Sequence, residues 1–427
     1  MKLTRVLALM TLAGLATAAQ ATNGYFSHGY GMKAKGMAGA ATASSDDAFG
    51  GANNPAAMAF AGNRLDLGVD LFSPRREASN TGGAFGPGTV RSDSSSNYFA
   101  IPELGYNHMM NNNLALGVTV YGNGGMNTNY HALGGAYGNT NLLGGQGSLG
   151  VDLMQLIVAP TVAFKIAPNH SIGISPLIGY QRFKAEGIQP FSGFSTSPTN
   201  VSNKGYDDAF GYGVRIGYMG KITPTISIGA AYASEMNFQK FGKYAGLFAE
   251  QGNFDIPENY NLGVAWQATP AIKLALDYQR INYSQVSAVG NPVLPNFANG
   301  MGASNGPGFG WEDMDIWKFG VEYKPSQNWT VRAGYSHADS PIKGNSTCAT
   351  FTNCGEVTLN ILAPAVVEDH VTFGFTYTLP TGNELTMAFM HAFDNNVSGA
   401  RPAAFGGGVD KIKMYQDSLG IQYSWKM

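Results

Sequence analysis

This 427-residue sequence predicts an all-β fold, a 14-stranded antiparallel transmembrane β-barrel with an N-terminal hatch in its lumen. Three observations carry the barrel. Fourteen runs alternate apolar with polar residues, very short and very long connections join them in turn, and charged residues make up only 13% of the chain. Alternation with period two sends one set of side chains to each face of a strand. In a membrane barrel one face meets lipid and the other a polar interior, and tight turns alternate with long loops. A soluble domain usually carries about 25% charged residues to cover its surface. A wall set in lipid has no such need.

The elements follow in chain order. Residues 1–21 read as a secretory signal peptide: Lys2 and Arg5 are basic, Val6–Ala19 is apolar, and Ala19-Gln20-Ala21 is a small-x-small cleavage site. A transmembrane helix is the competing reading, but the stretch is shorter than the roughly 18 apolar residues a spanning helix needs. Residues 22–63 do not alternate. They are rich in Gly, Ala and Ser, with Tyr25, Phe26, Tyr30 and several Met among them. A segment without a place in the wall is expected in the lumen as a plug; a disordered periplasmic tail is the alternative, and the apolar content argues against it.

Residues 64–427 hold the barrel. Its runs are Leu65–Phe72, Tyr98–Tyr106, Leu114–Tyr121, Leu153–Ile166, Ser171–Phe183, Phe210–Ile222 and Thr225–Ser234. Then come Asn259–Gln267, Ile272–Tyr283, Ile316–Tyr323, Trp329–Ser336, Asp369–Leu379, Glu384–Ala392 and Lys411–Met427. Most are close to the 9–11 residues that cross a bilayer at a steep tilt. Sets such as Tyr260, Leu262, Val264, Trp266 are apolar and end in aromatics, as an interfacial girdle requires. The short turns, among them Pro168-Asn169, Thr223-Pro224 and Pro325-Ser326, are expected on the periplasmic side with both termini, and the long loops outside.

The balance of 26 basic and 28 acidic residues argues against a nucleic-acid partner. Cys348 and Cys354 lie close together in a long loop and are expected to form a local disulfide, a metal pair being the alternative. The histidines, His28, His108, His131, His170, His337, His370 and His391, are scattered and stand in no catalytic motif. No enzyme and no cofactor is expected.

In the loop Ser234–Glu258, Phe238, Phe241, Tyr244, Leu247 and Phe248 recur at spacings of three and four, which predicts one apolar side of a short helix. Lys240 and Lys243 beside them are placed to attract a carboxylate. Leu133, Tyr137, Leu142 and Leu143 of the loop 123–150 are candidates for the facing half of a groove. Packing of this helix against neighbouring loops is the rival reading. Asn54-Pro55-Ala56 has the makings of a fixed turn, since Pro sets φ and Asn bonds to nearby backbone.

The stretch Asn23-Gly24-Tyr25-Phe26-Ser27-His28-Gly29-Tyr30-Gly31, then Lys35-Gly36-Met37-Ala38-Gly39-Ala40, Asp46-Asp47-Ala48 and Asn54-Pro55-Ala56, resembles the hatch of the FadL/OmpP1/TodX-type family. These are transporters of long-chain fatty acids and other hydrophobic compounds in Gram-negative outer membranes. Trp311-Glu312-Asp313 and Arg332-Ala333-Gly334-Tyr335 extend the resemblance across the mature chain. It implies a monomer in the outer membrane, beside lipid and lipopolysaccharide, that passively admits fatty acids or, as the runner-up, aromatic or alkane hydrocarbons. A structural or receptor-like barrel is the further rival. It also implies a low-affinity surface site between loops and an internal pocket with Tyr25, Phe26 and Met32 as contacts. Gating falls to Asn54, Pro55 and Ala56, and a kinked third strand opens the wall toward lipid. Gly122, Gly124 and Gly125, after the third run, would tolerate such a break.

Overall fold

The computed structural model describes residues 22–44, 46–345, 347–348 and 354–427. The signal peptide expected at residues 1–21 lies outside the described residues. Among the described residues sixteen strands form one sheet. They are β1 (Arg64–Thr81), β2 (Thr89–Asp93), β3 (Phe99–Met109), β4 (Leu114–Asn127), β5 (Gly150–Ala167), β6 (His170–Glu186), β7 (Asp207–Lys221) and β8 (Ile226–Ala233). After them come β9 (Asn237–Phe238), β10 (Asn259–Thr269), β11 (Ile272–Ile281), β12 (Met314–Tyr323), β13 (Trp329–Ala338), β14 (Asp369–Thr378), β15 (Glu384–Ala400) and β16 (Val409–Lys426).

The short β2 and β9 extend one rim. The other fourteen form an antiparallel ring, closed where β16 pairs with β1 from Arg64↔Lys426 to Thr81↔Val409. Start of β1 and end of β16 therefore share the rim that carries the short turns.

The wall is apolar outside and polar inside. On β16, Leu419, Ile421 and Trp425 are 48%, 43% and 38% exposed, while Gln422 and Ser424 between them are fully buried. Such inversion suits a wall in lipid, where only a closed ring pairs every strand edge. Strands overrun the expected ends on the long-loop side: β1 continues nine residues past Phe72, and β4 and β15 pass Tyr121 and Ala392. Arg75, Arg76 and Glu77 hide the apolar pattern, yet burial still alternates through them.

Inward positions carry buried charges, among them Asp66, Asp70, Glu103, Asp277, Glu322, Arg332 and Glu384. An unpaired buried charge costs several kcal/mol. Many of the partners come from residues 22–63. Lys35 Nζ lies 2.7 Å from Asp70 Oδ2 and 2.8 Å from Glu103 Oε1, and Lys33 Nζ 2.6 Å from Glu384 Oε2. Asp277 accepts the backbone N–H of Ala41 and Thr42, and Asp66 that of Ala48. Asp46 sits 2.6 Å from Lys273. Against the upward push of burial, Lys273 and Lys33 hold its carboxyl well below the usual range. The helix Met32–Lys35 packs on β14–β16 and the 3-10 turn Pro55–Phe60 on β4–β7. One segment thus touches opposite sides of the ring.

Replacing Lys35 by Met leaves two buried carboxylates facing each other without their cation, a loss of about 3–5 kcal/mol for such a broken pair. The expected result is a barrel that assembles normally but whose residues 22–63 become open to trypsin at Lys33. Unchanged protection would mean that the ion pairs do not anchor the segment.

Candidate functional site

The wall has one long interruption. β3 pairs with β4 only from Leu104↔Val120 to Met109↔Ala115. Beyond that, β3 stays paired with β1 up to Phe72↔Phe99, and β4 with β5 up to Asn127↔Asp152. Phe99–Glu103 and Tyr121–Asn127 therefore face each other across an unpaired seam. The β4 register shifts between Gly122 and Gly124. Tyr121–Met126 are buried without alternation, so this stretch leans into the lumen. The seam ends where Ser95 N–H donates to the Asn129 carbonyl, at 2.9 Å.

Residues of the N-terminal segment take up the open edge of β4. Ser27 N–H donates to Asn123 O and Gly125 N–H to Tyr25 O, both at 3.1 Å, and Phe26 bridges Gly124. Gly124 has no room for a side chain: a Cβ there would lie 1.5 Å from Tyr25 O. Gly122, Gly124 and Gly125 thus lie on the stretch of β4 that borders the seam, as Tyr25 and Phe26 do on the segment facing it.

A chain of buried rings runs from the long loops to this point. Phe241 and Phe248 lie 5.6 and 4.7 Å from Phe183, and Phe248 lies 4.9 Å from Phe254. Tyr25 is 5.9 Å from Phe254, 5.1 Å from Tyr283 and 5.9 Å from Trp311. Tyr283 donates from its hydroxyl to Asn23 O at 2.6 Å and accepts the Tyr25 N–H, fixing the ring pair.

The loop 234–258 differs from the helix expected there. Asn237–Phe238 is a short strand on β7, Gly242–Tyr244 is a 3-10 turn, and Ala249–Gly252 is broken by positive φ at Glu250 and Gln251. Gly242, Gly246 and Gly252 interrupt the sequence, and glycine weakens a helix interior. Phe238, Phe241, Tyr244, Leu247 and Phe248 still gather on one side, but inward and buried, where an open apolar surface was expected. Leu142 and Leu143 are buried in the same cluster, with Tyr137 partly exposed. Lys240 and Lys243 are exposed; the Lys243 ammonium donates to the Tyr206 carbonyl.

Met32 lies elsewhere, against Gly68 and Gly420 on the β1–β16 wall. Asn54 caps the 3-10 turn: its Oδ1 accepts the Ala56 N–H, and its Nδ2 donates to Thr42 O and Tyr218 O. Pro55 and Ala56 press on Gly173 of β6. This triplet forms the N-cap and first two residues of the turn, remote in sequence from the seam strand, and it holds the segment to the wall. Cys348 and Cys354 are joined, with Cα atoms 5.5 Å apart.

Sequence reasoning gave no site role to Phe183, Phe254, Tyr283 and Trp311, nor to two buried cations. Arg215 Nη1 has no hydrogen-bond partner, and neither Arg215 nor Lys318 is in an ion pair among the described residues. Both line a cavity of about 20 Å³ with Phe26, Tyr30, Asn259 and Gln279, room for about one water. Their signal was a basic residue on the lumen phase of a strand. His28 and His370 stack at 6.5 Å, and Ser336 pairs across the ladder with His370. The Ser336 hydroxyl and both His370 nitrogens lack hydrogen-bond partners, so no Ser–His couple forms.

Comparison with known proteins bears on the whole chain. A family model described as outer membrane protein transport protein (OMPP1/FadL/TodX) matches residues 8–397. No curated protein sequence matches. Among solved structures, the Pseudomonas putida toluene transporter TodX is similar with a TM-score of 0.67 at 18% identity, covering 94% of this chain and 99% of that one. A Pseudomonas aeruginosa FadL homologue gives 0.67 at 15% identity, covering 94% and 99%. The Ralstonia pickettii toluene transporter TbuX gives 0.62 at 16%, again covering 94% and 99%. The closed ring of fourteen strands and a family match over nearly the whole length agree, and this chain belongs to the OMPP1/FadL/TodX family of outer membrane transport proteins.

Proposed function

We propose that this protein passively admits hydrophobic molecules, most readily long-chain fatty acids, across the outer membrane of a Gram-negative bacterium. Both termini and the short turns face the periplasm, and residues 22–63 act as the hatch. Substrate is captured among the long loops by Phe238, Phe241, Tyr244, Leu247 and Phe248, with Leu142 and Leu143, while Lys240 and Lys243 draw in a carboxylate. It passes along the rings to Tyr25 and Phe26 and leaves sideways at the seam.

The observation that carries the reading is the unpaired β3–β4 seam sealed by Tyr25–Ser27. Lateral exit is favoured energetically, because each methylene kept out of water is worth about 0.8 kcal/mol. Movement of three residues off the β4 edge opens the route, and Asn54, Pro55 and Ala56 hold the rest of the hatch still. No energy source is needed for a downhill path between apolar sites.

Aromatic hydrocarbons are the second reading. The rings of Phe254, Tyr283 and Trp311 around Tyr25 favour them, whereas the buried cations Arg215 and Lys318 favour an acid. The deciding experiment is uptake of radiolabelled oleate and toluene by cells that lack their own hydrophobic transporter and express this chain. Oleate uptake above vector supports the first reading and toluene alone the second. Uptake of neither would overturn both and leave a structural or receptor-like barrel.

A further inference from the structure

We infer that Arg76 is the site at which the wall receives the anionic head group of an amphiphilic substrate while its apolar tail passes through the seam. The inference rests on the lateral-release reading above and adds a residue and a head-group chemistry to it.

Arg76 belongs to β1, points inward and is 6% exposed. It is in no ion pair among the described residues; the carboxylates nearest in sequence and pairing are Glu77, which pairs with Arg91 at 3.4 Å, and Asp93 on β2. Its two terminal nitrogens donate to Asn127 O at the end of β4 and to Ser96 O just before β3, the two strands that border the seam. Its Nε–H is buried without a partner.

Two neutral carbonyls do not neutralise a buried guanidinium, and a buried donor left unmade is costly. Arginine presents five N–H groups in a fork that fits a carboxylate. Two are taken, and the remaining Nε–H and terminal hydrogens stay available to an incoming oxyanion.

The guanidinium also stands between two spaces. Inside, it lines a cavity of about 20 Å³ with Met126, Asn127, Trp311, Pro364 and Met414. Outside, it borders a depression of about 370 Å³ with Arg75, Asp93, Ser94, Asn97 and Lys413. A carboxylate drawn through the apolar seam would lose its water with nothing in return. Held at the upper end of the seam by Arg76, it moves from lumen to outer surface beside a fixed positive charge, and only the tail crosses apolar wall.

Trp311 supplies the readout, since it lines the same inner cavity and is the buried tryptophan, the other four facing outward. Purified wild-type protein is titrated with 9,10-dibromostearate and with the corresponding dibromostearyl alcohol, and the Trp311 component is isolated by difference from Trp311→Phe. The acid is expected to quench at roughly tenfold lower concentration than the alcohol, the scale of one charge-assisted hydrogen-bonded pair. Arg76→Gln should bring the acid to the level of the alcohol, and Arg76→Lys should retain part of the preference. Heat-modifiable migration on gels checks that each variant is a folded barrel.

Wild type without preference, or Arg76→Gln with preference intact, would overturn the inference. If both ligands quench Trp311 equally in every variant, hydrophobic uptake stands and the head-group site falls. If neither quenches and neither oleate nor toluene is taken up by cells, the functional reading itself fails.

Discussion

Deleting residues 23–50 is expected to turn a barrel that is silent in planar bilayers into one that conducts ions in channel-like steps. The deletion removes Lys33, Lys35 and Asp46, the residues whose charges meet Glu384, Asp70, Glu103 and Lys273 across the lumen. It also removes Tyr25 and Phe26 from among Phe254, Tyr283 and Trp311, so the aromatic constriction loses its centre as well. The carboxylates left behind become hydrated and carry their charge in water, where the cost of a buried ion disappears. The ring itself does not depend on the segment, because β1 to β16 pair with one another. The variant is therefore expected to insert and to migrate as a folded barrel. Conductance no different from wild type, in a variant shown to be folded, would mean that residues 22–63 are not the seal.

The ring was legible because alternation survives single exceptions. On β16 the outward Leu419, Ile421, Tyr423 and Trp425 and the inward Gln422 and Ser424 can be assigned from the letters alone. Toward the long loops the same period runs through polar residues on both faces, so Arg75, Arg76 and Glu77 give no contrast and the apolar pattern of β1 stops at Phe72. The long-loop elements were the least legible. Spacings of three and four place Phe238, Phe241 and Phe248 on one side of a helix, yet glycines at 242, 246 and 252 prevent that helix. Grouping of the rings was readable; which way they face was not, because an apolar side looks the same whether it meets substrate, lipid or Phe183.

The seam was half legible. Glycines after the third run permit a break in the ladder, but they do not require one, and Gly is abundant throughout. What decides it is a partner over 90 residues away: Tyr25–Ser27 occupies the β4 edge that β3 leaves open. Arg76, Arg215 and Lys318 were invisible for a related reason. A basic residue at a lumen phase is ordinary, and only the positions of all neighbouring carboxylates show that these three lack an acidic partner among the described residues.

Gly124→Ala should free Tyr25–Ser27 from β4 without removing any part of residues 22–63. A methyl group at this position would sit 1.5 Å from Tyr25 O and 2.7 Å from Tyr25 C, distances that backbone atoms cannot share. The contacts are backbone on both sides, so no side-chain rotation relieves them. Residues 25–27 must move off β4, and the hydrogen bonds from Ser27 to Asn123 and from Gly125 to Tyr25 are lost. At about 1 kcal/mol each, two such bonds shift an equilibrium between sealed and open seams by about thirtyfold. Oleate uptake at low concentration is expected to rise, with protease cleavage within residues 22–63 rising in step. Gly193→Ala serves as the control, since nothing lies within 4 Å of a Cβ there. If Gly124→Ala folds, matches the control in uptake and keeps residues 22–63 protected, the contact between Tyr25–Ser27 and β4 does not gate the wall. Reduced uptake in a folded variant would instead assign those residues to holding the substrate, so that moving them costs binding and leaves the exit elsewhere.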